Sequence, residues 1–377
     1  MSMRRAVTIV CALVLVPLLW LFLRIRADLP NETAPLIQEK YASWSGVLRL
    51  WIFEGWEAES TNWINRAAAA FEAAHSGVYI QARKVDASAM RDFLSSGVNP
   101  PDMILFPPGL LESDAGLAPV GALPQLRDGL ASCANGYAAP VLMGGYVWVY
   151  DRQALDSPPA EAAGAVCTPN EAYSSPPAAL MLLLTGERGA EATPEPPGLD
   201  LGLPVSAAAG KALAEDAYGA FTRGEVPSLV ATQAEARRLT ALAEAGRGPD
   251  WAAAATGEAM LADQLLLLGI VDWPRADIAE RQALCREFLL LLLDAETQAD
   301  LASTGALPVV DGLNIYAGKA GYEALEAAAS LPLLVPPIFG KEGREALAAV
   351  SEAFLRGEID AAEGLARLRS AFQAYGP

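Results

Sequence analysis

Asp294-Ala-Glu-Thr-Gln298 and Gly305-Ala-Leu-Pro-Val309 form the most informative part of this sequence. The apolar run Phe288-Leu-Leu-Leu-Leu-Leu293 comes directly before them, and the surrounding pattern predicts one long helix over residues 278–301. A glycine followed three residues later by a proline then ends the helical pattern, because both residue types interrupt regular structure. The stretch therefore predicts a helix that leads into an irregular segment.

Upstream of this stretch, strand-like and helix-like patterns alternate along the chain. Residues 47–53, 78–85 and 103–106 are apolar enough for strands, and a helical pattern begins near residue 61. Mostly apolar strands are typical of sheets that are covered on both faces. The alternation predicts an α/β domain with a largely parallel sheet.

Helical and strand patterns continue through the second half of the chain. A helix is predicted over residues 233–245, where Gly246 stops it, and a buried strand over residues 265–271. Two C-terminal helices are predicted, one over residues 344–355 and one from residue 361 onward. These elements extend the α/β pattern to the C-terminus.

Composition and charge exclude some classes of partner. The chain has 377 residues, 53% of them hydrophobic, which is enough for one large or two medium domains. Its 45 acidic and 27 basic residues give a formal net charge of -18. Such a surface repels nucleic acid and anionic membrane, so no nucleic acid partner is expected.

The four cysteines do not form a metal or redox motif, because no pair has the short spacing that such motifs need. Cys11 lies in an apolar leader, and Cys285 lies in an apolar helix, where a buried free thiol is expected. Cys133 and Cys167 could form a disulfide outside the cytoplasm, but the sequence does not fix their distance and leaves this open.

Signals for catalysis are weak. His75 is the single histidine and follows a predicted helix at a position that is commonly solvated, so neither a serine–histidine–aspartate triad nor a histidine-rich metal site is expected. The sequence has no glycine-rich phosphate loop followed by Lys and Ser or Thr. A carboxylate pair such as Glu54 with Asp263 leaves glycoside hydrolysis open. We therefore predict a protein that is not an enzyme and needs no metal or cofactor.

The N-terminal residues 1–27 predict a membrane anchor or a secretory signal. Two arginines precede an apolar run of 18 residues, 6–23, which is at the lower edge of what spans a bilayer. Ile25-Arg26-Ala27 matches a small-x-small cleavage site poorly, which favours an uncleaved anchor over a cleaved signal. Residues 28–43 are polar and predict a linker. Both alternatives place the body of the protein outside the cytoplasm, either anchored to the cell membrane or secreted.

Several segments resemble the extracellular solute-binding proteins of ABC importers, in particular the carbohydrate-binding families. Residues 294–309 are similar to the late crossover that returns the chain from one lobe to the other in that family. Gly144-Gly145, with Tyr150-Asp151 after it, resembles an earlier crossover, where glycine absorbs backbone change easily. The other similar segments are the strand, loop and helix at residues 47–71, Asn99-Pro-Pro-Asp-Met-Ile-Leu-Phe106, Phe221-Thr-Arg-Gly-Glu-Val-Pro-Ser-Leu-Val230 and Phe354-Leu-Arg-Gly-Glu-Ile-Asp-Ala-Ala-Glu-Gly-Leu365.

This resemblance implies a two-lobed, periplasmic-binding-protein-like (type II) α/β fold behind an N-terminal transmembrane or signal segment. Lobe 1 is expected at residues 44–140 with 262–307, and lobe 2 at residues 141–261 with 308–377. The implied function is capture of a small molecule, a sugar or oligosaccharide, and its delivery to an ABC importer permease. The alternative is a degenerate binding module that acts as a membrane-anchored sensor or adaptor, because the Pro/Ala-rich residues 157–204 depart from the family pattern.

The resemblance also implies where the ligand binds, since open α/β sheets bind ligands at the carboxyl ends of their strands. In this interpretation Trp56 stacks on a sugar ring, while Glu54 and Gln233 bind hydroxyl groups. Thr232 has the alternative role of capping the helix that begins at the next residue. The predicted ligand-binding residues are Glu54, Gly55, Trp56, Pro107, Tyr146, Thr232, Gln233 and Asp263, and the loops around Trp251 and Gln264 are further candidates.

Overall fold

The structure is a computed structural model that divides the chain into two units, Met1–Ser45 and Gly46–Pro377. The described residues are 44–54, 58–96, 100–111, 116–130, 136–157, 165–167, 217–255, 260–262, 264–318, 333–334, 341–355, 358–359 and 361–375. The predicted leader at residues 1–27 lies outside these ranges. Within them, no helix is both long enough and apolar enough to cross a membrane.

The second unit contains two main sheets and the helices that pack on them. In chain order its described elements are β1 (Gly46–Phe53), α1 (Ala58–Ala74), β2 (Val78–Val85), α2 (Ala87–Ser96), β3 (Met103–Phe106), β4 (Leu117–Ala118), β5 (Ala138–Met143), β6 (Tyr146–Asp151), β7 (Ala165–Cys167), α3 (Ala217–Thr222), β8 (Ser228–Thr232), α4 (Gln233–Glu244), β9 (Trp251–Ala255), β10 (Met260–Leu261), β11 (Leu265–Val271), α5 (Ile278–Leu292), α6 (Ala295–Ala299), a 3-10 turn (Asp300–Ser303), β12 (Leu333–Leu334), α7 (Lys341–Leu355) and α8 (Ala361–Tyr375).

The first sheet is mixed rather than largely parallel. Its strands run in the order β2-β1-β3-β11-β4, and β5 also pairs with β11. The first three strands in the chain pair in parallel as predicted, but β11 runs antiparallel to β3, β4 and β5. The prediction missed this because β11 enters the sheet only after the chain has built the second sheet. All seven residues of β11 are buried, which confirms the strand predicted over residues 265–271.

The second sheet has four described strands in the order β7-β8-β6-β9. β6 lies between β8 and β9 and is antiparallel to both, whereas β7 and β8 are parallel. The end of β8 passes directly into α4, which runs to Glu244 and is followed by Gly246 in a left-handed conformation. The prediction that Gly246 ends this helix is confirmed, because this backbone conformation favours glycine.

The long helix predicted over residues 278–301 is wrong, because it is broken at Asp294. α5 ends at Leu292, and Asp294 adopts an extended backbone (φ -67°, ψ 145°). Its carboxylate accepts a hydrogen bond from Glu296 N at 3.0 Å, which starts a second, short helix. The interruption places Gln298 inside the fold, with no exposed surface.

α1 packs its apolar face against α5. It begins at Ala58 rather than near residue 61, and its predicted face, Ile64, Ala67, Ala68 and Phe71, is buried. The Phe71 and Phe288 rings meet edge to face at 5.5 Å between centroids. Trp63 is also buried and donates a hydrogen bond to Thr297 O at 2.7 Å, so it is a core residue.

His75 is half-buried and held by contacts, whereas the sequence-based expectation was a solvated position. Its side chain is 21% exposed and stacks on the Phe71 ring at 4.0 Å between centroids. Nδ1 lies 2.9 Å from Phe71 O, and Nε2 lies 2.9 Å from Glu287 Oε2. These contacts attach the end of α1 to α5, which gives His75 a structural role that local sequence does not reveal.

Asp102, just before β3, connects β1 with the segment after β11 and with helix α5. Its Oδ2 accepts a hydrogen bond from Arg49 N at 2.8 Å. Its Oδ1 accepts from Arg275 Nη1 at 2.8 Å and from Arg281 Nη1 at 3.0 Å. The carboxylate is only 4% exposed, and the two guanidinium groups compensate its charge. The Pro-Asp pair before this strand therefore serves the architecture.

The cysteine predictions are settled for one residue. Cys285 is free and buried, as expected, and its Sγ contacts Asp102 O at 3.9 Å. Burial, followed by the negative charge of Asp102, raises the pKa of the Cys285 thiol well above its usual value. Cys167 lies in β7 and Cys133 lies outside the described residues, so their pairing stays a prediction.

Candidate functional site

The shortest passage between the two sheets is the pair Gly144–Gly145. It separates Met143, the last residue of β5, from Tyr146, the first residue of β6. β5 belongs to the first sheet and β6 to the second, so two residues carry the chain from one sheet to the other. A second passage, which includes β10 and Gln264, returns the chain from β9 to β11.

Hydrogen bonds hold these passages together. Gly144 N donates to Gln264 O at 2.6 Å, which joins the first passage to the second. Met143 and Leu307 exchange two backbone hydrogen bonds, at 3.1 and 2.8 Å, so the segment at residues 305–309 lies beside them. We call residues 143–145, 260–262, 264 and 305–309 the crossover.

Gln298 fastens the crossover to the first sheet and to α5. Its Nε2 donates to Val141 O at 2.8 Å and to Leu292 O at 2.7 Å, and its Oε1 accepts from Val309 N at 3.0 Å. Every polar group of this fully buried side chain therefore has a partner. Gln298 therefore has a structural role: it connects β5, the end of α5 and the 305–309 segment.

The two crossover glycines are needed because side chains pack directly on them. A Cβ atom on Gly144 would lie 2.7 Å from Gln233 Oε1 and would also meet Gln264 Oε1, while one on Gly145 would lie 2.5 Å from Met260 Sδ. Neither glycine has a positive φ. The sequence predicted that glycine is needed here because it absorbs backbone change. In the structure, glycine is needed because neighbouring side chains approach the backbone closely.

The side chains nearest the glycine pair are uncharged, whereas Arg237 packs on Gly305 of the same crossover. Gln233 is 4% exposed and binds Gly145 twice: its backbone N donates to Gly145 O at 2.9 Å, and its Oε1 accepts from Gly145 N at 3.1 Å. Gln264 is also 4% exposed. In the described part of the chain, its Nε2 is the one buried side-chain nitrogen or oxygen that has no hydrogen-bond partner.

Strand register brings the carboxyl ends of β1, β3 and β5 to the crossover edge of the first sheet. Ile52 pairs with Leu105, which places Glu54 and Pro107 beyond the ends of neighbouring strands. Leu265 at the start of β11 pairs with Met143 at the end of β5, so Gln264 lies at this same edge. This edge is where ligands bind in open α/β sheets.

The second sheet presents the carboxyl ends of β8 and β9 to the crossover. Tyr146 pairs with Thr232, and Val147 pairs with Ala255, so these strand ends lie beside Gly145. Trp251 instead pairs with Asp151, at the opposite end of β6 and roughly 17 Å away at the usual rise per strand residue. The Trp251 backbone therefore lies away from the crossover, and its contact with a ligand stays a prediction.

The structure brings three of the predicted ligand-binding residues together at the crossover: Tyr146, Thr232 and Gln233. Tyr146 is only 1% exposed. Thr232 caps α4, because its Oγ1 accepts from Glu235 N at 3.3 Å while Glu235 Oε2 accepts from Thr232 N at 2.9 Å. This confirms the capping alternative, and a contact of Thr232 with ligand stays a prediction.

The remaining predicted residues belong to the edge of the first sheet or lie outside the described ranges. Glu54 is exposed, and its backbone N donates to Val85 O at 2.9 Å, whereas Pro107 is buried. Gly55, Trp56 and Asp263 are not among the described residues. Within the described ranges, no group of three His, Cys, Asp or Glu residues is arranged to hold a metal ion.

Comparison with known proteins places this geometry in a structural class. No protein-family model matches the sequence, and no curated protein matches it. The structure is similar to the cyclic alpha-maltosyl-1,6-maltose binding protein of Arthrobacter globiformis, with a TM-score of 0.63 and 16% identity over 88% of this chain and 99% of that one.

Two further solved structures are similar over nearly their whole lengths. The GacH receptor of Streptomyces glaucescens, solved unliganded and with acarbose, has a TM-score of 0.62 and 16% identity over 88% of this chain and 98% of its own. The maltose-maltodextrin binding protein of Alicyclobacillus acidocaldarius has a TM-score of 0.60 and 14% identity over 87% of this chain and 100% of its own. Similarity at this identity establishes the fold, so the chain has a two-lobed, periplasmic-binding-protein-like (type II) α/β fold.

Proposed function

We propose that the protein is an extracytoplasmic solute-binding receptor that captures a sugar or oligosaccharide between two lobes and delivers it to an ABC importer permease. One observation carries this proposal: the carboxyl ends of strands from both sheets converge on a crossover, and the side chains nearest its glycine pair are uncharged. The solved structures with this fold include receptors for maltose, maltodextrin and acarbose, which are also uncharged or weakly charged polyhydroxyl molecules.

The proposed mechanism is hinge closure. Lobe 1, at residues 44–140 with 262–307, and lobe 2, at residues 141–261 with 308–377, rotate about the crossover, and ligand favours the closed arrangement by contacting both. The permease recognises that arrangement. Residues 1–27 hold the receptor at the outer face of the membrane or direct its secretion, and residues 28–43 link this segment to the lobes.

The proposed ligand contacts combine one aromatic surface with a few polar groups, as small-molecule pockets do. Trp56, with Gly55 beside it, stacks on a sugar ring, and Glu54 and Asp263 bind hydroxyl groups. Gln233 Oε1 already accepts from Gly145 N, so the contribution of this side chain comes from its amide nitrogen. Pro107, Tyr146 and Thr232 shape the wall of the site through their positions at the strand ends.

We also propose that the protein performs no chemistry. The neighbours with this fold are named as binding proteins or a receptor. Both ring nitrogens of the one histidine are engaged by Phe71 O and Glu287, and burial raises the pKa of the Cys285 thiol, which disfavours the reactive thiolate. A glycosidase built on Glu54 and Asp263 is the weaker reading.

A sensor or adaptor that has lost transport binding is the second candidate, and one observation favours it. Thr232 and Gln233, two of the predicted ligand-binding residues, are both engaged in hydrogen bonds within the chain, and Tyr146 has almost no exposed surface. Hydrogen-bonding groups that are already occupied within the chain leave fewer polar groups at the crossover to bind a ligand.

Ligand-induced thermal stabilisation tests the proposal. The full chain, purified in mild detergent, is heated with each of maltose, maltotriose, trehalose and acarbose, and sugars are quantified afterwards. A receptor gains melting temperature with at least one sugar and leaves it unconsumed, because binding to the native state stabilises it. Consumption of the sugar supports the glycosidase, and the absence of any shift supports the adaptor.

A further inference from the structure

Gln264 is a buried amide without a partner, at the point where the two sheets meet. Its side chain lies on Gly144, and its Nε2 is enclosed and makes no hydrogen bond in the described structure. Buried polar groups are nearly always paired, and an amide left unpaired costs about 1–3 kcal/mol. A loss of folding free energy of this size at one residue suggests that the residue has a function other than stability.

Comparison with Gln298 shows that this fold pairs a buried glutamine fully where the role is structural. Gln298 lies in the same region and uses both amide hydrogens and its oxygen for backbone partners. Gln264 is held in place through its backbone instead, because its carbonyl oxygen accepts from Gly144 N at 2.6 Å. The backbone of Gln264 therefore builds the crossover, whereas its side-chain amide is left over.

This amide lies at the sheet edge where open α/β sheets bind ligands. Gln264 directly precedes β11, at the edge of the first sheet where β1, β3 and β5 end. Its described neighbours at the glycine pair, Gln233, Met260 and Leu307, carry no charge. A neutral amide donates and accepts hydrogen bonds, and so does a hydroxyl group, so these neighbours suit an uncharged polar ligand.

We propose that the side-chain amide of Gln264 is a ligand-binding group, which pairs with a hydroxyl group of an uncharged sugar held at the crossover. The inference rests on the proposed receptor function and adds a residue and a ligand chemistry to it. Since Nε2 is enclosed in this arrangement, the amide becomes available only when the crossover moves. Pairing with ligand is therefore coupled to the rotation of the lobes about Gly144 and Gly145.

The first arm of the test needs no ligand and compares two substitutions of the same kind. Methionine closely matches the length of glutamine but lacks the amide, so the full chain is made as Gln264→Met and as Gln298→Met. Thermal unfolding without ligand is expected to show an unchanged or higher melting temperature for Q264M and a clearly lower one for Q298M. Only Q298M leaves buried backbone groups without their hydrogen-bond partner. A loss in Q264M as large as that in Q298M, or failure of Q264M to fold, overturns the inference.

The second arm measures affinity by calorimetric titration with the sugar that stabilises the wild-type chain most among maltose, maltotriose, trehalose and acarbose. Q264M is expected to bind it about tenfold more weakly, which corresponds to the loss of one buried hydrogen bond. Equal affinity in Q264M and the wild type overturns this inference alone. A wild-type chain that binds none of the four sugars contradicts the receptor function, and the inference falls with it.

Discussion

Replacing Asp102 with asparagine, which keeps the size and shape of the side chain, should strongly lower the stability of the protein. The carboxylate is 4% exposed and accepts three hydrogen bonds, from Arg49 N, Arg275 Nη1 and Arg281 Nη1. Asparagine keeps one acceptor oxygen, but it removes the negative charge and turns an NH₂ group toward a donor. The substitution therefore removes the counter-charge shared by two guanidinium groups, 20% and 18% exposed, although Arg281 keeps its ion pair with Asp277 at 2.7 Å.

The magnitude follows from these contacts. Each hydrogen bond to a charged group is worth about 1.5–3 kcal/mol, but the desolvation of the ions offsets part of the sum. Removal of one partner from a buried ion pair costs about 3–5 kcal/mol. Because the arginines retain partial contact with water, we expect Asp102→Asn to lower the free energy of unfolding by about 3 kcal/mol.

A matched surface substitution serves as the control. Asp250 lies 3.3 Å from Arg152, but the two side chains are 56% and 59% exposed. Exposed pairs contribute about 0–1 kcal/mol, so Asp250→Asn should change stability by less than about 1 kcal/mol. Both variants are unfolded in urea and followed by tryptophan fluorescence. If Asp102→Asn costs no more than the control, the described ion cluster does not stabilise the first sheet, and the reasoning from its burial is refuted.

Three further predictions concern single residues. Thr232→Ala removes the side-chain cap of α4 and should cost about 1 kcal/mol in urea unfolding, and a neutral result would mean that the capping box does not form. Cys285 should resist alkylation by iodoacetamide in the native protein and react once urea unfolds it, as read by peptide mass mapping, because burial raises the pKa of its thiol. Trp56→Ala should weaken sugar binding in titration more than it lowers the melting temperature, and the reverse order would identify Trp56 as a core residue.

Local patterns predicted those elements whose structure depends on local sequence. β11 was recognisable because seven consecutive apolar residues suit a strand covered on both faces. The end of α4 was recognisable from Gly246, and the capping role of Thr232 was a stated alternative. In each case the residues that determine the structure lie within a few positions of one another.

Features that depend on distant residues were not predictable. The direction of β11 follows from its pairing with strands far earlier in the chain, and the ring of His75 is held by Glu287, 212 residues away. The close packing on Gly144 depends on Gln233 and Gln264, which no local pattern connects to it. The break at Asp294 is different, because its capping bond is local, but the long apolar run before it favoured an uninterrupted helix.

The bonding between the chain passages at the crossover has a mechanical consequence. A single flexible chain segment would let two bodies rotate and twist in any direction. Adjacent segments that are hydrogen-bonded to one another resist twisting and sliding. Here one backbone hydrogen bond joins Gly144 to Gln264, and two join Met143 to Leu307. The proposed closure would then be restricted to bending about one line, like a book along its spine, and would bring the two lobes together in the same alignment each time.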